Sequence, residues 1–182
     1  DRRVSFDGEI QSDFCEIKIS ADVVASDGER DPSFDLGVSL NDRNFKDNDR
    51  LEITISPNKP MYISIFYWSP DKEEKVERIF PLTTQALIDL GIQHDSVESN
   101  NFLESITKIP HIRENGKSAY ILRLNSPENK NEPVKEFIMV IATKKFVDFR
   151  EYYNLNELKE RINEIDMGDR REITTSYILF PK

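Results

Sequence analysis

Cys15, Ile17, Ile19, Ala21 and Val23 alternate with Glu16, Lys18, Ser20 and Asp22. Successive side chains leave an extended backbone on opposite sides, so this period of two predicts a strand with one dry face and one wet face. The alternation returns in Phe34, Leu36, Val38 and Leu40, and again in Leu51, Ile53 and Ile55. Turn chemistry separates these runs: Asp27-Gly28 and Asp31-Pro32 stand before the second, and Asn41 to Asp49 before the third. Met61 to Trp68 is apolar on nearly both faces, interrupted by Ser64, and predicts a central strand. After the polar turn Ser69 to Lys75, Val76 to Phe80 returns antiparallel as a hairpin and stops at Pro81.

Thr83 to Asn101 reads as a short helical turn around Ala86, Leu87 and Leu90, ended by Gly91 and followed by a long polar loop. Phe102 to Ile109, Ser118 to Leu124 and Val134 to Thr143 are three further strands, punctuated by Pro110, Asn115-Gly116, Pro127 and Pro133. Leu155, Leu158, Ile162 and Ile165 recur at spacings of three and four, the stripe of an amphipathic helix. Asn154 is its N-cap and Glu157 completes a capping box, with Glu157 and Arg161 as an i,i+4 pair and Gly168 at the exit. Ile173, Thr175, Tyr177 and Leu179 form a final strand. Short strands joined by Pro, Asn, Asp and Gly turns predict a mainly β protein. The expected fold is an antiparallel, immunoglobulin-like β-sandwich carrying one C-terminal amphipathic helix and a last strand. Residues 1–30 are read as an added strand segment or the remnant of a preceding module, and 31–182 as the sandwich domain.

Composition narrows the function classes. At 182 residues a compact fold buries roughly 70% of the surface its unfolded chain exposes, enough for a core without disulfides or metal. The net charge of -9, with no segregated basic stripe, argues against nucleic acid and against an anionic membrane surface. The excess is N-terminal: residues 1–60 hold 14 acids and 8 bases, and residues 61–150 hold 13 and 12. Glu16, Asp22, Asp35 and Glu52 fall on the polar half of their strands, so the charge marks the solvated side of the sheet and deters edge pairing. No run approaches the 18 or so apolar residues of a membrane helix. Opening on Asp-Arg-Arg without an apolar leader, the chain reads as a mature or trimmed piece of a longer product.

Candidate chemistry is sparse. Cys15, the single cysteine, excludes an internal disulfide and falls on the apolar side of its strand, as a small buried hydrophobe does. His94 and His111 sit in loops outside any nucleophile motif, and the six glycines stand alone, so no phosphate-binding loop is present. No cofactor is expected. Asp42, Asp47 and Asp49 cluster between two strands as candidate calcium ligands, although the turn glycine and terminal Glu of an EF-hand loop are missing; the bland alternative is a solvated turn. Tyr62, Phe66 and Trp68 in the central strand are candidates for an aromatic binding patch, with core packing as the alternative.

The order of residues also carries a resemblance. Phe34 to Leu40, Phe45-Lys46-Asp47-Asn48-Asp49, Leu51 to Ser56, Met61 to Phe66, Val76 to Pro81, Ile109-Pro110, and Ile138 to Thr143 with its Ala-Thr pair follow one another as in a bacterial family, domain of unknown function 4384. The chain resembles it over about residues 34–182, with Asn48 where the family has a turn glycine and Leu82 where an Asn is usual. Asn is tolerable there because it enters left-handed conformations. The resemblance implies a noncatalytic, periplasmic or envelope-associated module, often attached to a lipoprotein-type, kinase or caspase-like part, and it supplies no catalytic residues. The expected function is binding of a protein or glycan partner by a monomer whose membrane link runs through an upstream anchor. The alternatives are a hydrolase with a carboxylate-based site and a purely structural spacer.

Overall fold

The computed structural model describes residues 3–11, 16–24, 28–70, 75–93, 96, 98–112, 116–126 and 131–181. In chain order its elements begin with β1 (Arg3–Gln11), β2 (Glu16–Val24), β3 (Leu36–Leu40), β4 (Asn44–Lys46), β5 (Arg50–Leu51), β6 (Ile53–Pro57), β7 (Met61–Trp68) and β8 (Lys75–Phe80). There follow α1 (Thr84–Leu90), β9 (Phe102–Leu103), β10 (Thr107–Ile109), β11 (Leu122–Arg123), β12 (Val134–Thr143), β13 (Tyr152–Asn154), α2 (Leu155–Asn163), a 3-10 turn (Met167–Asp169) and β14 (Arg170–Phe180). The largest sheet runs β13-β8-β7-β12-β14-β4, with β9 also on β7; β10-β6-β3 and β5-β11 are smaller sheets, and β1-β2 is a sheet of its own. All pairings are antiparallel except β4, which lies parallel along Ile178 to Phe180 of β14. The protein is therefore mainly β, with a C-terminal helix that is followed by the last strand.

The apolar run of β7 has a direct explanation. Met61, Ile63 and Ile65 join Ile138, Val140 and Ala142 of β12, Ile53 and Ile55 of β6, and Tyr177 and Leu179 of β14 in the main core. On the opposite side Phe66 and Ile141 join Phe149, Tyr153, Leu158 and Ile162 in a second core beneath α2. A strand covered on both faces has no wet half, which is why alternation fails there. Along β7 the pairing with β8 shifts register between Ile65 and Phe66, whose partners are Phe80 and Arg78, leaving Ile79 of β8 as a bulge. Ile79 and Phe80 consequently both pack with the main core.

α2 follows from its sequence. The Asn154 side chain accepts from the Glu157 amide at 2.8 Å, and Glu157 Oε2 accepts from the Asn154 amide at 3.2 Å, closing the capping box. Leu158 and Ile162 are buried, each contributing about 2 kcal/mol of apolar burial. The expected Glu157–Arg161 pair is replaced by two others: Glu157 meets Arg150 at 3.1 Å and Arg161 meets Glu164 at 2.6 Å. Gly168 does not close the helix, whose C-cap is Glu164. The buried Arg170 instead covers the helix end, donating to the Ile162 carbonyl and to Asn163 Oδ1, a placement that also suits the negative end of the helix dipole. Gly168 is required elsewhere: a Cβ there would stand 2.9 Å from the Glu29 carbonyl oxygen.

α1 starts at Thr83, whose side chain accepts from the Ala86 amide at 3.2 Å, and ends at Gly91 with φ +62°, as its composition predicts. Other expectations need correction. Phe102 to Ile109 is two strands in two sheets, β9 on β7 and β10 on β6. Ser118 to Leu124 contributes β11 and one isolated bridge, Ser118 to Ile112. Leu51 to Ile55 divides between two sheets, because β5 pairs with β11 and β6 with β3 and β10. Asn41 to Asp49 is more than a turn: it contains β4, whose buried Phe45 packs edge-on against the Tyr177 ring at 5.3 Å. Asn48 does take a left-handed backbone, φ +67°, where a glycine would otherwise be expected. The strand expected at Cys15 to Val23 is β2, which pairs with β1; Cys15 itself lies outside the described residues.

Candidate functional site

Along β12, Ile138, Val140 and Ala142 point into the main core and Val134 is buried in the same phase, and this period of two places Glu136 among them. The Glu136 side chain is accordingly buried, at 1% exposure. A carboxylate in that position has to be compensated by hydrogen bonds. Two phenols meet it from the neighbouring strands: the Tyr67 hydroxyl of β7 donates to Oε1 at 2.6 Å, and the Tyr177 hydroxyl of β14 donates to Oε2 at 2.6 Å. Register brings the second pair to one face, since Glu136 and Tyr177 are directly opposed across β12 and β14. Burial, then the hydrogen bond to Glu136, pushes the Tyr67 hydroxyl far above the ordinary phenol range. Burial, then the charge of Glu136, does the same to Tyr177, so both remain donors.

This triad borders a cavity of about 160 Å³. Among the described residues, Leu51, Ile79, Leu122 and Leu124 supply its apolar wall, and Glu77, Arg123 and Asn125 add polar groups. The wall is built locally. Leu51 and Leu122 are opposed across β5 and β11, and the bulge in β8 turns Ile79 inward. The Asp47 to Asp49 turn holds the next segment in place: the Asn48 amide donates to the Leu124 carbonyl at 2.7 Å, and the Leu124 amide to the Asp49 carbonyl at 3.0 Å. The exposed Arg123 donates through Nη1 to the Asn48 carbonyl at 3.3 Å.

The three aspartates considered for calcium occupy that region as turn-builders. Asp42 Oδ1 accepts from the Arg43 and Asn44 amides, which hold its carboxyl below the usual range, the Asn44 bond being the larger cause. Asp47 Oδ1 accepts from the Ser126 amide and hydroxyl, and Asp49 Oδ2 from the Lys46 amide. Among the described residues no group of three or more His, Cys, Asp or Glu side chains is arranged to hold a metal ion.

Tyr62, Phe66 and Trp68 share the face of β7 opposite the triad, but they differ in access. Phe66 is fully buried against Phe149 and Tyr153, at ring distances of 5.6 and 6.1 Å. Tyr62 is half-buried beside Phe102 and the exposed Phe146. Trp68 is half-buried over Phe137 at 4.6 Å, and its buried Nε1 has no hydrogen-bond partner among the described residues. His111 lies in a loop, and His94 is outside the described residues.

The sequence reading missed Glu136, Tyr67 and Tyr177 as a group. The available signal was phase: Glu136 is in step with Val134, Ile138 and Val140, where a charge is out of place. At the other end of the core, Lys144 Nζ lies 2.8 Å from Asp31 and 3.6 Å from Asp169, while Arg171 Nε lies 3.2 Å from Asp35. That network ties the entry of β3 to the β12–β14 end of the large sheet.

Together these features define a β-rich fold in which the buried Glu136 is set against a small, partly apolar cavity. Comparison with protein-family models, curated proteins and solved structures finds no match.

Proposed function

We propose that this chain is a noncatalytic interaction module that binds a group of a protein or glycan partner in the Glu136 cavity. One observation carries the reading: a carboxylate 1% exposed lines a cavity of about 160 Å³, with each oxygen oriented by a tyrosine. Pre-oriented polar groups within an apolar wall are what a small binding site requires. The shared core of the large sheet and the β10-β6-β3 sheet supports reading them as layers of an immunoglobulin-like sandwich, a scaffold that presents such sites. The resemblance to domain of unknown function 4384 supports a bacterial envelope or periplasmic setting. No helix among the described residues is long and apolar enough to cross a membrane.

A carboxylate-based hydrolase is the second reading, favoured by Glu77 and Glu136 lining the same cavity. Heteronuclear NMR with glycan and peptide panels, run beside a generic glycoside, ester and peptide hydrolysis panel, separates the two. Saturable shifts at cavity residues without turnover are expected. Hydrolysis abolished by Glu136→Gln would replace the binding module with the enzyme.

A further inference from the structure

We propose that the cavity takes a primary ammonium group on a short alkyl chain, with the ammonium against Glu136; this rests on the reading of the cavity as a binding site. With one phenol donating to each oxygen, the Glu136 side chain acts as an acceptor at both, and each oxygen has a further lone pair. No ion-pair partner of Glu136 is found among the described residues, and a buried carboxylate charge without a cation is costly. An ammonium is the complementary group, with three donors, no acceptor and one positive charge. Glu77 adds a second carboxylate to the lining, and the one cation among its described residues, Arg123, is exposed and directed to the Asn48 carbonyl.

The remaining lining selects the rest of the ligand. Leu51, Ile79, Leu122 and Leu124 have no hydrogen bonds to give through their side chains, so they suit methylenes and disfavour a hydroxylated chain. A volume of about 160 Å³ is close to that of the dry cavity of about 150 Å³ that accommodates benzene, which corresponds to a ligand of about five or six heavy atoms. n-Pentylamine meets this description, and so does the side chain of a lysine presented by a protein partner. The shared chemistry is the alkylammonium.

The test uses the full chain with selectively 13C-labelled tyrosine rings, titrated with n-pentylamine, with 1-pentanol as the neutral counterpart, and with Nα-acetyl-lysine methylamide. The amine is expected to shift the Tyr67 and Tyr177 ring signals saturably and at least tenfold more tightly than the alcohol. Glu136→Gln should lower amine affinity at least tenfold and so narrow the difference between amine and alcohol. Glu77→Gln, outside the buried triad, should lower it several-fold and serves as the second variant if Glu136→Gln does not fold. Equal response to lysine methylamide and pentylamine assigns the site to a partner lysine, whereas response to pentylamine alone assigns it to a free amine. If alcohol and amine bind equally, or if both variants bind the amine as wild type does, the ammonium inference fails and the cavity remains a binding site. If neither amine nor alcohol moves the tyrosine signals, the ammonium inference is overturned; glycan or peptide shifts at the cavity would preserve the broader reading, and their absence would end it.

Discussion

Glu136 and Tyr177 are opposed residues of neighbouring antiparallel strands, and the phenol donates to the carboxylate at 2.6 Å inside the main core. With Tyr67 on the other oxygen, one buried acid joins three adjacent strands, β7, β12 and β14. A hydrogen bond to a charged group contributes about 1.5–3 kcal/mol. Tyr177→Phe is therefore expected to destabilise the fold by about that amount, measured by urea unfolding. Tyr67→Phe, at a half-buried position, should cost less. Because both phenols serve one carboxylate, the double substitution should depart from additivity by about 0.5 kcal/mol or more.

Acid should loosen the Asp31 network. The Lys144 ammonium, followed by the Ser33 hydroxyl and amide, holds the Asp31 carboxyl well below the usual carboxylate range. A depressed folded-state value means a stabilising contribution that is fully present above the ordinary Asp range near pH 4 and lost as the pH falls through the lower folded value. Asp31→Asn should accordingly flatten the stability profile below about pH 4. Lys144 is raised, chiefly by its hydrogen bond to Asp31, so its contribution is present below the ordinary Lys range and lost on the alkaline side. Thermal melting of wild type and Asp31→Asn across acidic and alkaline pH checks both signs, and parallel profiles would contradict them.

Gly28 has φ +89°, and a Cβ added there would lie 2.4 Å from Asp166 Oδ1. Gly28→Ala is expected to cost about 1 kcal/mol or more, because the backbone conformation disfavours a side chain and the carboxylate must move. Shortening Asp166 to Ala removes the contact but also loses the Asp166 bond to the Gly168 amide at 2.7 Å. The double variant should therefore recover only part of the loss, read as the midpoint of denaturant unfolding.

Asn154→Ala opens the capping box and should cost about 1 kcal/mol, whereas Asn154→Asp should retain most of the stability. Circular dichroism during urea unfolding measures the difference. A loss far larger than about 2 kcal/mol would show that Asn154 supports more than the start of α2.

Strand periodicity, helix caps and turn chemistry were readable from residues 34–80 and 154–179, since each depends on neighbours a few positions apart. Leu158 and Ile162 announce the buried stripe of α2, and Asn154 with Glu157 its start, because one helical turn contains all the groups involved. Phe45 was hidden among polar turn residues, and its place in the core is created by Tyr177, far away in the chain. The division of Phe102 to Ile109 between two sheets was hidden for the same reason: local alternation does not say which edge a strand will meet.

What the sequence alone determined was this local grammar: a mainly β chain, a two-sided apolar strand at Met61 to Trp68 and a capped helix before a last strand. Tertiary structure decided which polar residues became buried and what met them. Glu136 is one acid among 34 in the sequence. It acquires its setting only when β7 and β14 flank β12, because hydrogen bonding and desolvation depend on distance in space rather than separation along the chain.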